Sequence, residues 1–422
     1  MIKRRALALI LAAGFVVGSY ATDARVAVMG RHSTPWFYRD EVSVFTNPAD
    51  MSLYPNMIYG SFGWVPEPRL NETTETRELS YNYQYNLARD PHFGAMLSYR
   101  FSDEETGPMF SFGAFVNRRD GMIDRVMAEG RKVAEALPAD MKANGMPNLI
   151  EEPVGRLDLM LGYDFGNGLA IGAGFYGAFQ NKKVSDRVVS QTDIFKGSFG
   201  INWNIDQGLD VEASVNGGII TVQGTPLNAD GLPMTEEAIS ISDNDHFLRG
   251  DVRLFSAVPA INGSFVPQVS LEYINLNETK IIDLNGGVGV NVNIDRGFFW
   301  AGLQGVYTQT DASGDVAHSE IGARLSFGIE RNIMWDWFLI RVGGKKEVRY
   351  HSYGDGTTSN WGENAASNGS DGDMVGLGFG INIDNRLRID FVASEDLPYT
   401  FTNLISGNQY YLFNRVSATY RF

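Results

Sequence analysis

The sequence contains no cysteine among its 422 residues. A disulfide framework, thiolate metal ligands and a cysteine nucleophile are therefore excluded. Histidine is scarce, with five in the chain, and none belongs to a His-Glu-x-x-His motif. We therefore expect no resident metal, no cofactor and no enzymatic activity, and we assign no catalytic residue.

Clusters of positive charge are also lacking. Lys and Arg number 35 against 50 Asp and Glu, which gives a formal net charge of −15. Nucleic-acid binding depends on clustered Lys and Arg side chains that neutralise phosphates. An acidic chain without such clusters is not expected to bind nucleic acid.

Long apolar runs are confined to the N-terminus. Three basic residues at positions 3–5 precede an apolar stretch over residues 6–18, and Ser19-Tyr20-Ala21 forms a small-x-small cleavage site. Residues 1–21 are therefore predicted to be a cleaved signal peptide, with an uncleaved anchor as the alternative. No later run reaches the about 18 apolar residues expected of a membrane-spanning helix.

Apolar and charged side chains alternate along many short stretches. Between residues 246 and 255, Leu248 and Val252 share one face, while Arg249, Asp251 and Arg253 share the other. A strand that crosses lipid turns its apolar face to the lipid and its polar face to the lumen. The predicted lumen-lining residues are Arg156, Asp158, Arg249, Asp251, Arg253, Glu320, Arg324, Arg388 and Asp390. Their mixed signs favour an ion-paired network over the single-sign lining of an ion-selective pore.

The spacing of the strand candidates predicts a closed barrel. About 16 candidates lie between residue 77 and the C-terminus, the first near 77–86. Tight turns, such as those at 166–168 and 384–385, alternate with long connections, such as 118–153 and 395–409. Bacterial barrels have short periplasmic turns and long outer loops. The predicted fold class is all-β, a transmembrane antiparallel β-barrel of about 14–16 strands with an N-terminal hatch-like segment.

Strand parity also predicts the domain boundaries. Counting residues 56–65 as a strand would make the total odd, so we assign residues 22–70 to a pre-barrel, hatch-like segment and residues 71–422 to the barrel. The alternative is that residues 56–65 form the first strand and that the barrel has about 14 strands.

The last strand ends in an aromatic residue. Tyr420 and Phe422 lie on the apolar face of residues 414–422. A terminal aromatic on such a strand resembles the outer-membrane assembly signal. We therefore expect the barrel assembly machinery, outer-membrane lipid and lipopolysaccharide to be partners of a protein located in the Gram-negative outer membrane.

Two further patterns lie in the predicted barrel. Residues 122–137 carry apolar side chains at helical spacing and predict an amphipathic helix in an outer loop. Six aromatic residues near the predicted inner turns are expected to be interfacial anchors: Trp203, Phe298, Phe299, Trp300, Trp335 and Trp337.

The N-terminal segment resembles a known family. Met29-Gly30 is followed by Asp40 and then by Asn47-Pro48-Ala49, shortly before the first strand. This order is similar to the N-terminal signature of FadL-like and PorV-like outer-membrane barrels. The resemblance implies a hatch in the lumen and passage of hydrophobic compounds or, in the PorV-like branch, service to a protein-secretion system. From the residues alone, Pro48 ends helix and strand and biases Asn47 towards an extended backbone.

The leading functional hypothesis is an outer-membrane transporter or channel for small compounds, hydrophobic ones included, through a hatch-occluded lumen. The alternative is a non-transporting component of a protein-secretion or surface complex, with secretion-system proteins as partners in place of a small hydrophobic ligand. A general porin is the third hypothesis.

Overall fold

The two-residue alternation produces strands, because successive side chains of a strand point to opposite faces of the sheet. The computed structural model describes residues 23–29, 36–63, 91–102, 107–137, 149–184, 186–206, 208–228, 232–235, 238–277, 279–311, 318–353, 359–363, 374–384, 386–393 and 413–422. Its strands are β1 (Met57–Gly63), β2 (His92–Arg100), β3 (Met109–Val116), β4 (Gly155–Asp164), β5 (Leu169–Val184), β6 (Arg187–Asp206), β7 (Leu209–Gly224), β8 (Ile239–Val258), β9 (Gly263–Leu276), β10 (Thr279–Ile294), β11 (Gly297–Asp311), β12 (His318–Asn332), β13 (Phe338–Tyr353), β14 (Ser359–Glu363), β15 (Met374–Ile383), β16 (Leu387–Ala393) and β17 (Phe413–Arg421). Its helices are α1 (Asp23–Val28), α2 (Gly121–Ala136) and the 3-10 helices η1 (Glu41–Phe45), η2 (Pro48–Leu53) and η3 (Pro259–Ile261). Within these ranges, none of the helices combines the length and the apolar character that a membrane crossing requires.

The strands of the described residues close into one ring. Each strand from β1 to β13 pairs with the next one, β13 pairs with β15, and β15, β16 and β17 follow in order. Pairing of β17 with β1 closes the ring, and β14 is an extra strand on β13. All pairings are antiparallel. The predicted fold class, an antiparallel barrel in the range of 14–16 strands, is confirmed with sixteen strands in the ring.

The first strand of the barrel lies inside the segment that was predicted to precede it. β1 is hydrogen-bonded on both sides, with Met57 opposite Arg421 on β17 and opposite Met96 on β2. The predicted boundary at residue 70 is therefore wrong, and the alternative that starts the barrel within residues 56–65 is right in this feature. The requirement for an even number of strands gave the wrong boundary because it counted the candidate at 77–86 as a strand of the barrel. That candidate lies outside the described residues, and the ring closes without it.

The connections are sorted between the two rims. The rim that carries Asn56 and Phe422, here the C-terminal rim, has only short connections, the longest being residues 101–108. The opposite rim, here the loop rim, carries the long ones, including 117–154 and 394–412. The long connections lie at the loop rim, as predicted, but the tight turns are not confined to the C-terminal rim, because those at 185–186 and 277–278 also lie at the loop rim. The assignment of the C-terminal rim to the periplasm stays a prediction.

The wall is tall on one side. Strands β5 to β13 have 14–20 residues, whereas β1 to β4 and β15 to β17 have 7–10. A membrane crossing needs about 9–11 strand residues. The tall wall therefore extends well beyond a single crossing at the loop rim.

The outer surface of the ring is apolar, and the inner surface combines charged side chains with buried apolar clusters. Outward side chains include Ile58, Leu248 and Leu325, each about half exposed. Near the C-terminal rim, Trp203, Trp335 and Trp337 are also exposed, as interfacial anchors would be. The prediction for Phe298 and Trp300 is wrong, because both face the lumen and are buried there. Tyr420 and Phe422 lie on the outer face with their rings stacked at 6.3 Å, and their role in assembly stays a prediction.

Candidate functional site

Residues 23–29 and 36–54, here called the N-terminal segment, lie inside the ring. η2 contacts strands β3 to β6, and α1 contacts β13 and β15 to β17. Almost all side chains of α1, η1 and η2 are buried. The segment therefore occupies the lumen and is anchored to walls on opposite sides of the ring.

The Asn47-Pro48-Ala49 turn rests directly on the wall. The Asn47 side chain accepts a hydrogen bond from the Ala49 backbone N–H at 3.2 Å and donates one to the Ile201 carbonyl oxygen at 3.4 Å. Pro48 occupies the first position of η2, where its missing N–H costs nothing. A Cβ atom added to Gly172 of β5 would lie 2.3 Å from the Pro48 carbonyl carbon. A glycine at this wall position is therefore what allows the turn to approach so closely.

A polar cluster around Asp50 fastens the segment to the tall wall. Asp50 accepts hydrogen bonds from Ser43 at 2.5 Å and Asn47 at 3.2 Å, and it pairs with Arg253 of β8 at 3.3 Å. Arg253 also pairs with Glu212 of β7.

Arg39 extends this cluster along β7. Its guanidinium pairs with Glu212 at 2.6 Å and with Asp210 at 2.9 Å. Two segment residues and two wall strands thus share one ion-paired network.

The charge state of Asp50 follows from these surroundings. Burial raises the pKa of Asp50 to about 7, and the nearby Glu212 carboxylate adds to the rise, whereas Arg253 opposes it. A carboxyl group that is free in water has a pKa of about 3.9. Docking of the segment is therefore linked to proton uptake by this group.

A second network fastens α1 to β12 and to the strands that follow it in the ring. The fully buried Arg25 side chain lies 3.1 Å from Glu330 of β12 and 3.6 Å from Asp40 of the segment. Glu330 also pairs with Arg388, and Arg341 joins Asp390 at 2.6 Å. The Arg25 guanidinium sits over the Phe298 ring at 4.6 Å, which gives a cation–π contact in a site without water exposure.

Aromatic residues complete the docking surface. The Phe37 ring lies on Gly289 and Gly302, where an added Cβ would come within 2.4 Å and 2.1 Å of ring carbons. Trp300 lies 6.0 Å from Phe37 and 5.4 Å from Tyr38 between ring centroids. Phe298 and Trp300 thus form a surface on which the segment packs. Because both lie on the strand face opposite Phe299, the sequence alternation already indicated that they share one face.

All nine predicted lumen-lining residues are directed into the ring, and each belongs to an ion pair. Asp158 pairs with Arg118, Arg324 with Glu347 at 2.6 Å, and Glu320 with Arg349 at 2.7 Å. The remaining pairs are Arg156 with Glu152, Arg249 with Asp251, Arg253 with Glu212 and Asp50, and Arg388 with Glu330 and Asp390. Sequence reasoning did not predict the ion pairs of Arg25, Asp50 and Arg341, and those of Arg25 and Asp50 join the segment to wall residues far away in the chain.

Helix α2 covers the lumen at the loop rim. Its apolar face, with Ile123 and Val126, joins inward residues of β5 to β9 in a buried apolar cluster. Asp120 caps the helix by accepting from the Met122 N–H, and it pairs with Lys196 of β6 at 2.5 Å. Burial acts to raise the pKa of Asp120, but Lys196 and Arg118 hold it below its usual range, so the cap is charged. The amphipathic helix predicted over 122–137 is thus present and folded into the mouth of the ring.

The segment and the α2 region are in contact. The Arg118 guanidinium lies 4.4 Å from the centroid of the Phe45 ring in η1 and forms two hydrogen bonds to Asp158, at 2.9 Å and 2.7 Å. The lumen contents therefore form one continuous packed body against the wall.

The fold and the site define a closed antiparallel barrel with an apolar outer face and an occupied polar lumen. A scan of protein-family models finds no match, and a search of curated proteins finds none either. Among solved structures, a TodX monoaromatic hydrocarbon channel deltaS2 mutant matches over 94% of this chain and 98% of that chain, at 10% identity and a TM-score of 0.37. A Pseudomonas aeruginosa FadL homologue matches over 95% and 98%, at 11% identity and a TM-score of 0.40.

A third similar structure is BamA from Haemophilus ducreyi lacking POTRA domains 1–3, which matches over 87% of this chain and 70% of that chain, at 7% identity and a TM-score of 0.34. TM-scores below 0.5 do not discriminate between the functions of these barrels. The function of this chain has to follow from its own residues, and the PorV-like resemblance of its N-terminus stays a prediction.

Proposed function

We propose that the protein is an outer-membrane channel for small compounds, hydrophobic ones included, and that the N-terminal segment occludes its lumen. The observation that carries the proposal is that no backbone–backbone hydrogen bond among the described residues joins the segment to a strand of the ring. The Arg25 network holds it at β12 and the Asp50 network holds it at β8, and no strand of the ring passes through residues 36–54. A body attached in this way can leave the lumen while the ring stays closed.

The outer surface supports the membrane location. Outward residues of neighbouring strands form a continuous apolar belt, for example Leu271, Leu303 and Leu325 at 51–55% exposure. Soluble proteins rarely expose a continuous apolar surface that extends over several strands. The charged residues on the inner surface are the complement expected for a lumen.

The upper lumen supports hydrophobic cargo. Beneath α2, the inner face of the tall wall carries Ile194, Ile220 and Ile274, all fully buried. The lumen of a porin filled with water would be polar at such positions. Movement of α2 would expose an apolar wall to which small hydrophobic compounds bind by the hydrophobic effect.

A disulfide tests whether release of the segment controls passage. Asn47 Cγ lies 2.9 Å from the position that a Cβ at Gly200 of β6 would take. One further carbon–carbon bond of about 1.5 Å keeps the two Cβ atoms within the about 4.5 Å limit of disulfides. We expect the Asn47→Cys/Gly200→Cys variant to take up a fluorescent hydrophobic dye poorly when oxidised and to recover uptake on reduction.

The absence of native cysteine makes both single-cysteine variants clean controls, and neither should respond to reductant. Equal dye uptake by the oxidised and reduced double variant would contradict the proposal. Capture of partner proteins without any dye uptake would favour a component of a secretion or surface complex instead.

A pH dependence follows from Asp50. Because docking raises its pKa to about 7, the docked state favours the protonated carboxyl, so this contribution to docking is fully present below about pH 4 and is lost as pH rises to about 7. Conductance in a planar bilayer should therefore be higher at pH 8 than at pH 5. Asp50→Asn should remove most of that difference, whereas Asp295→Asn, at an 80% exposed side chain, should retain it. An unchanged pH profile in Asp50→Asn would show that another group controls docking.

A further inference from the structure

One registered row of inward residues crosses the tall wall at the level of the docked segment. Gln268 of β9, Gly287 of β10 and Gln304 of β11 lie directly opposite one another, and we call these three residues the amide row. Next to it, Arg253 lies opposite Gln268 and Arg324 lies opposite Gln304. Beyond the arginines come Glu212 and Glu347.

The two glutamines are buried without satisfying their amide groups. Gln268 is 6% exposed and Gln304 is 1% exposed. The nitrogen and the oxygen of both side chains lack a hydrogen-bond partner among the described residues. A buried amide without partners destabilises a fold, whereas an apolar side chain of the same shape would not. Two unsatisfied amides in one row therefore indicate a role other than stability.

The N-terminal segment packs beside this row. Phe37 packs on Gly289 and Gly302, which are the next inward positions towards the C-terminal rim. Trp36 and Gln268 line a cavity of about 20 Å³ beside the segment, which has room for about one water molecule. The Trp36 indole N–H also lacks a partner among the described residues. Trp36 thus closes off Gln268 in a site too small for a solute, and Phe37 packs on Gly302, two residues from Gln304 along β11.

The charges beside the row select the chemistry of a ligand. Arg253 pairs with Glu212, and Arg324 pairs with Glu347, so the four charged neighbours sum to zero. An ion would find no uncompensated opposite charge there. Each amide offers both an N–H donor and a carbonyl acceptor. The matching ligand is an uncharged group that carries a donor and an acceptor of its own.

We propose that the amide row binds small uncharged solutes, or uncharged headgroups of larger compounds, that both donate and accept hydrogen bonds. Such a ligand satisfies the amides only when Trp36 and Phe37 move away, so its binding favours release of the N-terminal segment. The unsatisfied amides destabilise the docked state of the segment. A ligand that binds the amides only in the released state shifts the equilibrium between the docked and released states further towards release. This inference rests on the proposed occlusion of the lumen by the segment.

Three probes of similar size test the site in planar bilayers. Acetamide donates and accepts hydrogen bonds, acetone only accepts them, and acetate carries charge. We expect millimolar acetamide to raise the conductance of the wild-type channel several-fold, with acetone and acetate having little effect. The Gln268→Leu/Gln304→Leu variant should lose the acetamide response. Gln309→Leu, an exposed position on the same strand β11, should keep it.

Each single variant is measured as well, so that poor folding of the double variant does not prevent the comparison. Thermal loss of the folded band on a gel provides a second readout, because leucine should not destabilise the barrel and acetamide should protect only proteins that retain the amides. An acetamide response that survives in the folded leucine variants, or its absence from the wild type, would overturn the amide site. If deleting residues 23–54 raises conductance while acetamide has no effect, the occluded channel stands and only the amide site is wrong. If the deletion leaves conductance unchanged, both the proposed occlusion and the amide site are wrong.

Discussion

Deletion of residues 23–54 is expected to raise the ion conductance of the reconstituted barrel several-fold. The segment fills the lumen, and a ring of sixteen strands without it is wide enough for an aqueous channel. Every ring strand keeps its two hydrogen-bonded neighbours in the deletion variant, so the ring itself should still close. Conductance in planar bilayers and heat-modifiable gel mobility together measure both effects.

Extending the same deletion through Gly63 should have the opposite outcome. β1 would then be missing, and β2 and β17 would each lose a partner strand. Unpaired backbone groups in lipid are strongly unfavourable, so no folded, heat-modifiable band is expected. The two deletions differ by only nine residues and serve as controls for each other. A folded barrel without β1, or an unchanged conductance without residues 23–54, would contradict the architecture or the occlusion, respectively.

Much of the wall was predictable because its rules are local. Alternation alone assigns Arg253 inwards and Val252 outwards, and the long connections identify the loop rim. The first strand was misassigned because parity counts candidates without testing their pairing. Only the pairing of Met57 with Arg421 and Met96 reveals which candidate closes the ring.

The contents of the lumen were less predictable, since they depend on contacts between distant residues. Arg25 and Glu330 are 305 positions apart in the chain, so no local pattern links them. Proximity to a tight turn suggested that Trp300 anchors the barrel at the interface. Its position opposite Phe299 in the alternation instead turns it inwards, where Phe37 and Tyr38 supply the contacts. The amide row likewise emerges only when the registers of β9, β10 and β11 are known.

Arg25 offers a point-mutation test of how the segment is held. Its side chain is fully buried and joins Asp40 of the segment to Glu330 of the wall. Removing one partner of a buried ion pair costs about 3–5 kcal/mol, which corresponds to a shift of about two to four orders of magnitude in the docking equilibrium. Glu330 retains its ion pairs with Arg341 and Arg388, so its negative charge stays compensated without Arg25. The free energy lost with Arg25 therefore weakens docking of the segment rather than the wall.

Arg25→Met should thus raise conductance towards the level of the 23–54 deletion while the barrel remains heat-modifiable. Arg296→Met, which alters an ion pair at the C-terminal rim with both side chains at least half exposed, should have little effect, because exposed pairs contribute little. Adding Asp40→Asn to Arg25→Met should restore part of the docking. It removes the carboxylate that Arg25 compensated, and asparagine is as good an N-cap for η1 as aspartate. If Arg25→Met conducts no more than Arg296→Met, the network around Arg25 does not hold the segment in the lumen.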